Sequence, residues 1–175
     1  MLPRPKRTTV ERVTAQAADE RGTLLGSLQR QRDLVVWKVS GLSDGDARGV
    51  SSPSGLTIHG VVCHLMDVER SWVRRWFAGQ AAVPYLGVDS NHVGGLAACD
   101  GSTLHEAVAA YAAESARCDT VVAAHDLDDV GAAGPRTLRW VLHHLVEETA
   151  RHLGHLDLLC ELADGRTGEE PVPEV

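Results

Sequence analysis

Apolar residues recur along the chain at helical spacing in four stretches, separated by segments rich in glycine, proline and small polar residues. The first stripe is Leu24, Leu25, Leu28, Val35, Val36 and Val39, with a polar gap in its middle. It predicts a helix over about Ala15 to Val39, stopped by Gly41 and the following Ser43, Asp44, Gly45 and Asp46. After the loop Val50 to Gly55, Thr57 is placed to cap a second helix carrying Ile58, Val61, Val62, Leu65, Met66, Trp72, Val73 and Trp76 and ending near Gly79. Thr103 and Glu106 form the sequence pattern of a capping box at the head of a third helix, which runs through Leu104, Ala107, Val108, Tyr111, Cys118, Val121 and Val122 to about Leu127. The fourth starts at Thr137, carries Leu138, Val141, Leu142, Leu145, Leu156 and Leu159, and runs to about Ala163, with Gly165 as its stop. No segment alternates with the period of a strand. The pattern therefore predicts an all-α four-helix bundle over residues 15–165, with 1–14 as a flexible leader and 166–175 as a flexible tail.

Residues 79–101 are a long connection by the standard of helix bundles, with Pro84, five glycines and little periodicity. Such a crossover lets the second and third helices run parallel, as in bundles of non-simple topology, or serves as a lid.

Composition narrows the classes of partner. At 175 residues the chain suits one domain with its own core. A net charge of −7 argues against nucleic acid and against an acidic membrane surface. No apolar run approaches the roughly 20 residues that span a bilayer. No apolar stretch of signal-peptide type follows the basic Arg4, Lys6 and Arg7. Cys63, Cys99, Cys118 and Cys160 follow no redox or zinc-knuckle spacing, so they are expected to be free thiols in a cytoplasmic chain.

The chemistry gathers on the fourth helix. At about 100° per residue, His144, Glu148, His152 and His155 fall within roughly 80° of one another and border the apolar stripe. Carboxylates and imidazoles next to a core are costly unless they pair or bind a cation. Glu148 and His152, one turn apart, can converge on a single ion. A third ligand must come from another helix, and the second offers His59 and His64. These are separated by about 140° around that helix, so only one can join, and geometry does not choose between them.

The segment Cys63 to Trp72, with His64, Asp67, Glu69 and Arg70, and the segment Glu147 to Asp157, with Glu148, His152, Gly154 and His155, resemble the two signatures of the DinB-like superfamily. The resemblance extends from about residue 17 to 165. It is strongest to the actinobacterial branch related to mycothiol-dependent maleylpyruvate isomerase and thiol S-transferases. It implies a four-helix bundle with a metal held by His64, Glu148 and His152. His155 stands where many members have glutamine, and is read as a residue behind the ligands, a fourth ligand or a plain substitution; Glu69 and Asp157 flank the triad as candidates for a place behind the ligands. Zinc is the expected ion, and nitrogen and oxygen donors suit nickel or iron as well. The implied activity is metal-dependent transfer or isomerisation, with mycothiol as cosubstrate and an electrophile as its partner. Metal-dependent hydrolysis and a non-catalytic, regulatory bundle are the alternatives. A homodimer is expected from the resemblance, with the exposed side of the first or third helix available for it. Catalytic and mycothiol-binding residues are not assigned.

Overall fold

The computed structural model describes residues 19–83 and 101–167. Five helical segments make up the described chain: α1 (Glu20–Val39), α2 (Asp44–Gly49), α3 (Ile58–Glu69, continued by a π-helical stretch Arg70–Phe77), α4 (Leu104–Ala123) and α5 (Leu138–Asp164). The fold is an all-α bundle in which α1, α3, α4 and α5 form the four long members, with no strand among the described residues. The predicted leader, the tail beyond residue 167 and most of the 79–101 connection lie outside the described residues. Among the described residues no helix is long and apolar enough to cross a membrane.

The helix starts follow from side-chain chemistry. Thr57, Thr103 and Thr137 each accept a bond from an amide of the first turn, which supplies a partner that the helix itself cannot. At α4 the box is reciprocal, because Glu106 Oε2 accepts from the Thr103 backbone N–H at 2.8 Å. α5 ends on Gly165 in the left-handed conformation, φ 73°, where a side chain would be strained.

Two expectations about the elements need correction. Ser43 to Asp46 does not simply end the first helix. Ser43 caps α2, with its own reciprocal box to Asp46. The six residues hold too few apolar positions to show a stripe, so only the cap advertised the element. The second predicted helix is not α-helical throughout. From Arg70 it adopts the wider i→i+5 pattern, with Ala78 N–H donating to Val73 O. That stretch buries Ser71, Val73 and Phe77 and sends Trp72 toward Trp140 and His144 of α5.

End-to-end contacts give the directions. Glu20 at the head of α1 bonds Arg139 at the head of α5, and Arg166 reaches Ser40 at the far end, so α1 and α5 run parallel. His59 meets Ser102 before α4, and Phe77 meets His125 just after it, so α3 and α4 are parallel as well. Arg21 bonds the carbonyls of Val122 and His125, which sets α1 antiparallel to α4. The parallel course of α3 and α4 agrees with a crossover between them.

The apolar core falls into two clusters. One packs Val35 and Val39 against Ile58 to Met66 and Leu153 to Cys160. The other packs Leu28 against Val73, Phe77, Cys118 and Leu138 to Leu145. Between them lies a polar layer. Arg32, in the gap of the first stripe, forks onto Glu69 at 2.9 and 2.7 Å and also bonds Asp119 of α4. The expectation of free thiols holds for buried Cys118 and Cys160 but fails at Cys63, which is disulfide-bonded. Spacing along a chain does not report which sulfurs meet in space, so the sequence could not show this. Cys99 lies outside the described residues.

Candidate metal centre

The same boundary between the two clusters carries the candidate site. α3 brings His64 to it one turn before Val68, and α5 brings Glu148 and His152 from the segment between Leu145 and Leu153. One donor atom from each of His64, Glu148 and His152 lies within 4.8 Å of the others. His152 Nε2 is 3.6 Å from Glu148 Oε2, and the rings of His64 and His152 are 4.5 Å apart, tilted by 60°. The three side chains are half-buried, so the cluster is reachable but poorly hydrated.

Burial sets the protonation state. It pushes the His64 imidazole below its usual range, against the pull of the Glu148 and Asp67 charges. It lowers His152 further, to about 4, with help from neighbouring His64 and His155. Both rings are therefore neutral at pH 7, the form that donates a lone pair to a metal. Two neutral imidazoles and a carboxylate match the donor set of a divalent ion with open positions, and three protein ligands are the pattern of catalytic zinc. The residues present fit the ion.

The remaining predicted residues separate. His155 Nδ1 lies 3.3 Å from His152 Nδ1, on the ring nitrogen opposite the one that faces Glu148. That contact orients the ring. Glu69 is fully buried but turned to Arg32. Asp157 is paired with Lys38 of α1. Neither of these two is brought into the donor cluster. His59, which helical spacing left as an alternative to His64, is buried against Arg48, Ser102 and Cys63 instead.

Two features escape a reading of the sequence. Asp67 stands there only as one residue of a signature; it is 2% exposed and acts electrostatically on His64. Its spacing, three residues after His64 on one helix, is the available signal. The other is an aromatic column. Trp140 stacks on His144 at 4.9 Å and 15°, and Trp72 packs edge-on to His144 at 4.6 Å. His144 lies on the predicted stripe, one turn before Glu148, but the indoles hold it away from the donor cluster.

A four-helix bundle with a two-histidine, one-carboxylate cluster set between its core halves defines a class of helical bundles with a potential metal site. Within that class, the chain matches the profile of the mycothiol-S-transferase family over residues 23–165, and it belongs to that DinB-like family. No individually curated protein matches it.

Proposed function

We propose that the protein is a divalent-metal-dependent S-transferase that joins a low-molecular-weight thiol, mycothiol in type, to an electrophile. The convergence of His64, Glu148 and His152 within 4.8 Å, from two helices, carries the reading. Family membership supplies the thiol. His64, Glu148 and His152 would hold a divalent ion such as zinc, which when bound would stabilise a thiolate and lower the pKa of a thiol at the site.

The protein's own residues prepare that chemistry. The scaffold holds His152 with Nε2 toward the cluster, since Nδ1 is engaged by His155. Asp67 and Glu148 place negative charge beside His64, which strengthens the ring as a donor. The half-buried setting excludes much of the water that would compete with a thiol. In the transfer, the thiol gives up its proton to solvent water and its sulfur supplies the electron pair of the new carbon–sulfur bond. The electrophile's leaving group departs with the pair of the bond that breaks.

The test has two stages. Purified protein is analysed for metal, then single Ala substitutions of His64, Glu148 and His152 are compared with it. The expected result is near-stoichiometric zinc, reduced in every variant. Unchanged metal content in all three overturns the site. The holo-protein is then given mycothiol and an electrophile such as monobromobimane. Metal-dependent conjugate formation supports the transferase; ester or amide cleavage without conjugate supports a hydrolase instead.

A further inference from the structure

Arg136 lies just before α5, exposed, with its guanidinium 4.7 Å from the centre of the Trp140 ring and 5.3 Å from that of Trp72. Among the described residues no carboxylate pairs with it, although other arginines of the bundle, such as Arg32, Arg70, Arg74 and Arg139, each meet one. An arginine stacked on aromatic faces keeps its N–H edges free, and those edges form the fork that takes a carboxylate in two parallel bonds. Contact with the two indoles restrains the guanidinium in advance and lowers the ordering cost of using it.

The support for Arg136 is also the path to the donor cluster. Trp140 stacks on His144, Trp72 packs against His144, and His144 precedes Glu148 by one turn. Trp140 is 40% exposed, so the column is open to solvent along its edges. Eight residues of helix separate Trp140 from Glu148, about 12 Å. The hollow behind Trp72, Trp76 and Arg136 is only about 20 Å³. That is room for no more than a water, so a ligand lies along the column instead of entering it.

We propose that Arg136 is the anchor for a carboxylate on the electrophilic substrate, and that this substrate is an elongated acid with an apolar body. The acid end sits on Arg136 beside Trp140, and the reactive end reaches toward Glu148, about 12 Å along the helix from Trp140. This rests on the reading of His64, Glu148 and His152 as the reaction centre, but the anchor is testable without turnover. Trp72, Trp76 and Trp140 provide a fluorescence signal at the spot.

The experiment titrates metal-free and zinc-loaded protein with 6-phenylhexanoate and with its uncharged amide, at low ionic strength. The acid is expected to bind at least about tenfold tighter than the amide in both forms, as one charge-assisted hydrogen bond would give. Arg136→Gln is expected to erase that preference and Arg136→Lys to retain part of it. His152→Ala is expected to leave it intact while losing metal. Among the described residues the side chain of Arg136 makes no hydrogen bond, so these variants are expected to keep the wild-type circular dichroism. Equal binding of acid and amide overturns the proposal, as does a preference that survives in Arg136→Gln. A preference that appears only with zinc and vanishes in His152→Ala also overturns it, because the carboxylate then sits on the metal. Failure of the metal assay leaves this comparison unaffected, so the two readings fail separately.

Discussion

At the residue scale, the informative feature of His152 is how strongly its surroundings oppose a proton. Burial first, then neighbouring imidazoles, hold it neutral to about pH 4, while an unfolded chain protonates its histidines near 6.5. The sign follows from proton counts. Between those two values the unfolded chain binds the proton and the folded chain does not, so acid favours unfolding. The metal-free protein is therefore expected to be indifferent to pH above about 7 and to lose stability as pH falls from about 6.5 toward 4. His152 contributes roughly 3 kcal/mol at most, and His64 acts in the same direction. Urea midpoints measured across that range check it, and His152→Gln should flatten the acid limb. A flat profile in the wild-type chain contradicts the neutral-imidazole cluster. Much of this site is legible in the sequence alone, because Glu148 and His152 are one turn apart on one helix and local spacing decides whether they meet. His64 is not legible in that way. Choosing it over His59 depends on which face α3 turns toward α5, a tertiary fact that only the resemblance anticipates. Glu69 and Asp157 group with the site on sequence because they sit close to ligands along the chain, yet each is claimed by a cation on α1.

At the scale of elements, boundaries are legible wherever a side chain closes the helix. Thr57, Thr103, Thr137 and Gly165 are all readable, because a cap involves only one residue and the nearest amides or carbonyls. What is not readable is the i→i+5 winding from Arg70 to Phe77. It is tied to distant groups: Arg74 bonds Glu114 of α4, and the Phe77 and Trp76 carbonyls accept from Ala132 and Ala133. Apolar periodicity cannot separate such a stretch from an ordinary turn, since Trp72 and Trp76 fall four apart in either case. The α4 cap gives a direct test. Thr103→Ala removes the acceptor for Glu106 N–H and one donor to the Glu106 carboxylate. It is expected to cost about 1 kcal/mol, read as a lower urea midpoint with an unchanged slope. The Thr103 backbone N–H, and after it the Thr103 hydroxyl that this variant removes, hold the Glu106 carboxyl below its ordinary range. That stabilisation is present above about pH 4.5 and lost as pH falls through the lowered value. Thr103→Ala should accordingly narrow the gap to wild type in acid.

At the scale of the whole molecule, the polar layer between the two core clusters joins fold to site. Arg32 from α1, Glu69 from α3 and Asp119 from α4 tie three helices five residues beyond His64 on α3. The Arg32–Glu69 pair is almost fully enclosed, at 7% and 1% side-chain exposure, whereas Asp119 is half in water. Taking both charges out of water is expensive, so the pair adds little net stability over an apolar match. Breaking it, however, strands a buried cation. Glu69→Leu is therefore expected to destabilise the bundle by roughly 3 kcal/mol, the low end for a broken buried pair because Asp119 still meets Arg32. The double variant Arg32→Met with Glu69→Leu should recover most of that loss. A double variant no more stable than the single one would show that the pair itself, and not the stranded charge, sets the energy. The same variants separate scaffold from site. If the layer matters only for registering α3 against α1 and α4, the double variant should hold zinc as the wild type does, because none of the three donors is touched. Loss of metal in the stable double variant would instead mean that the placement of His64 depends on the ion pair five residues further along α3. Equilibrium dialysis of zinc against both variants decides between these outcomes.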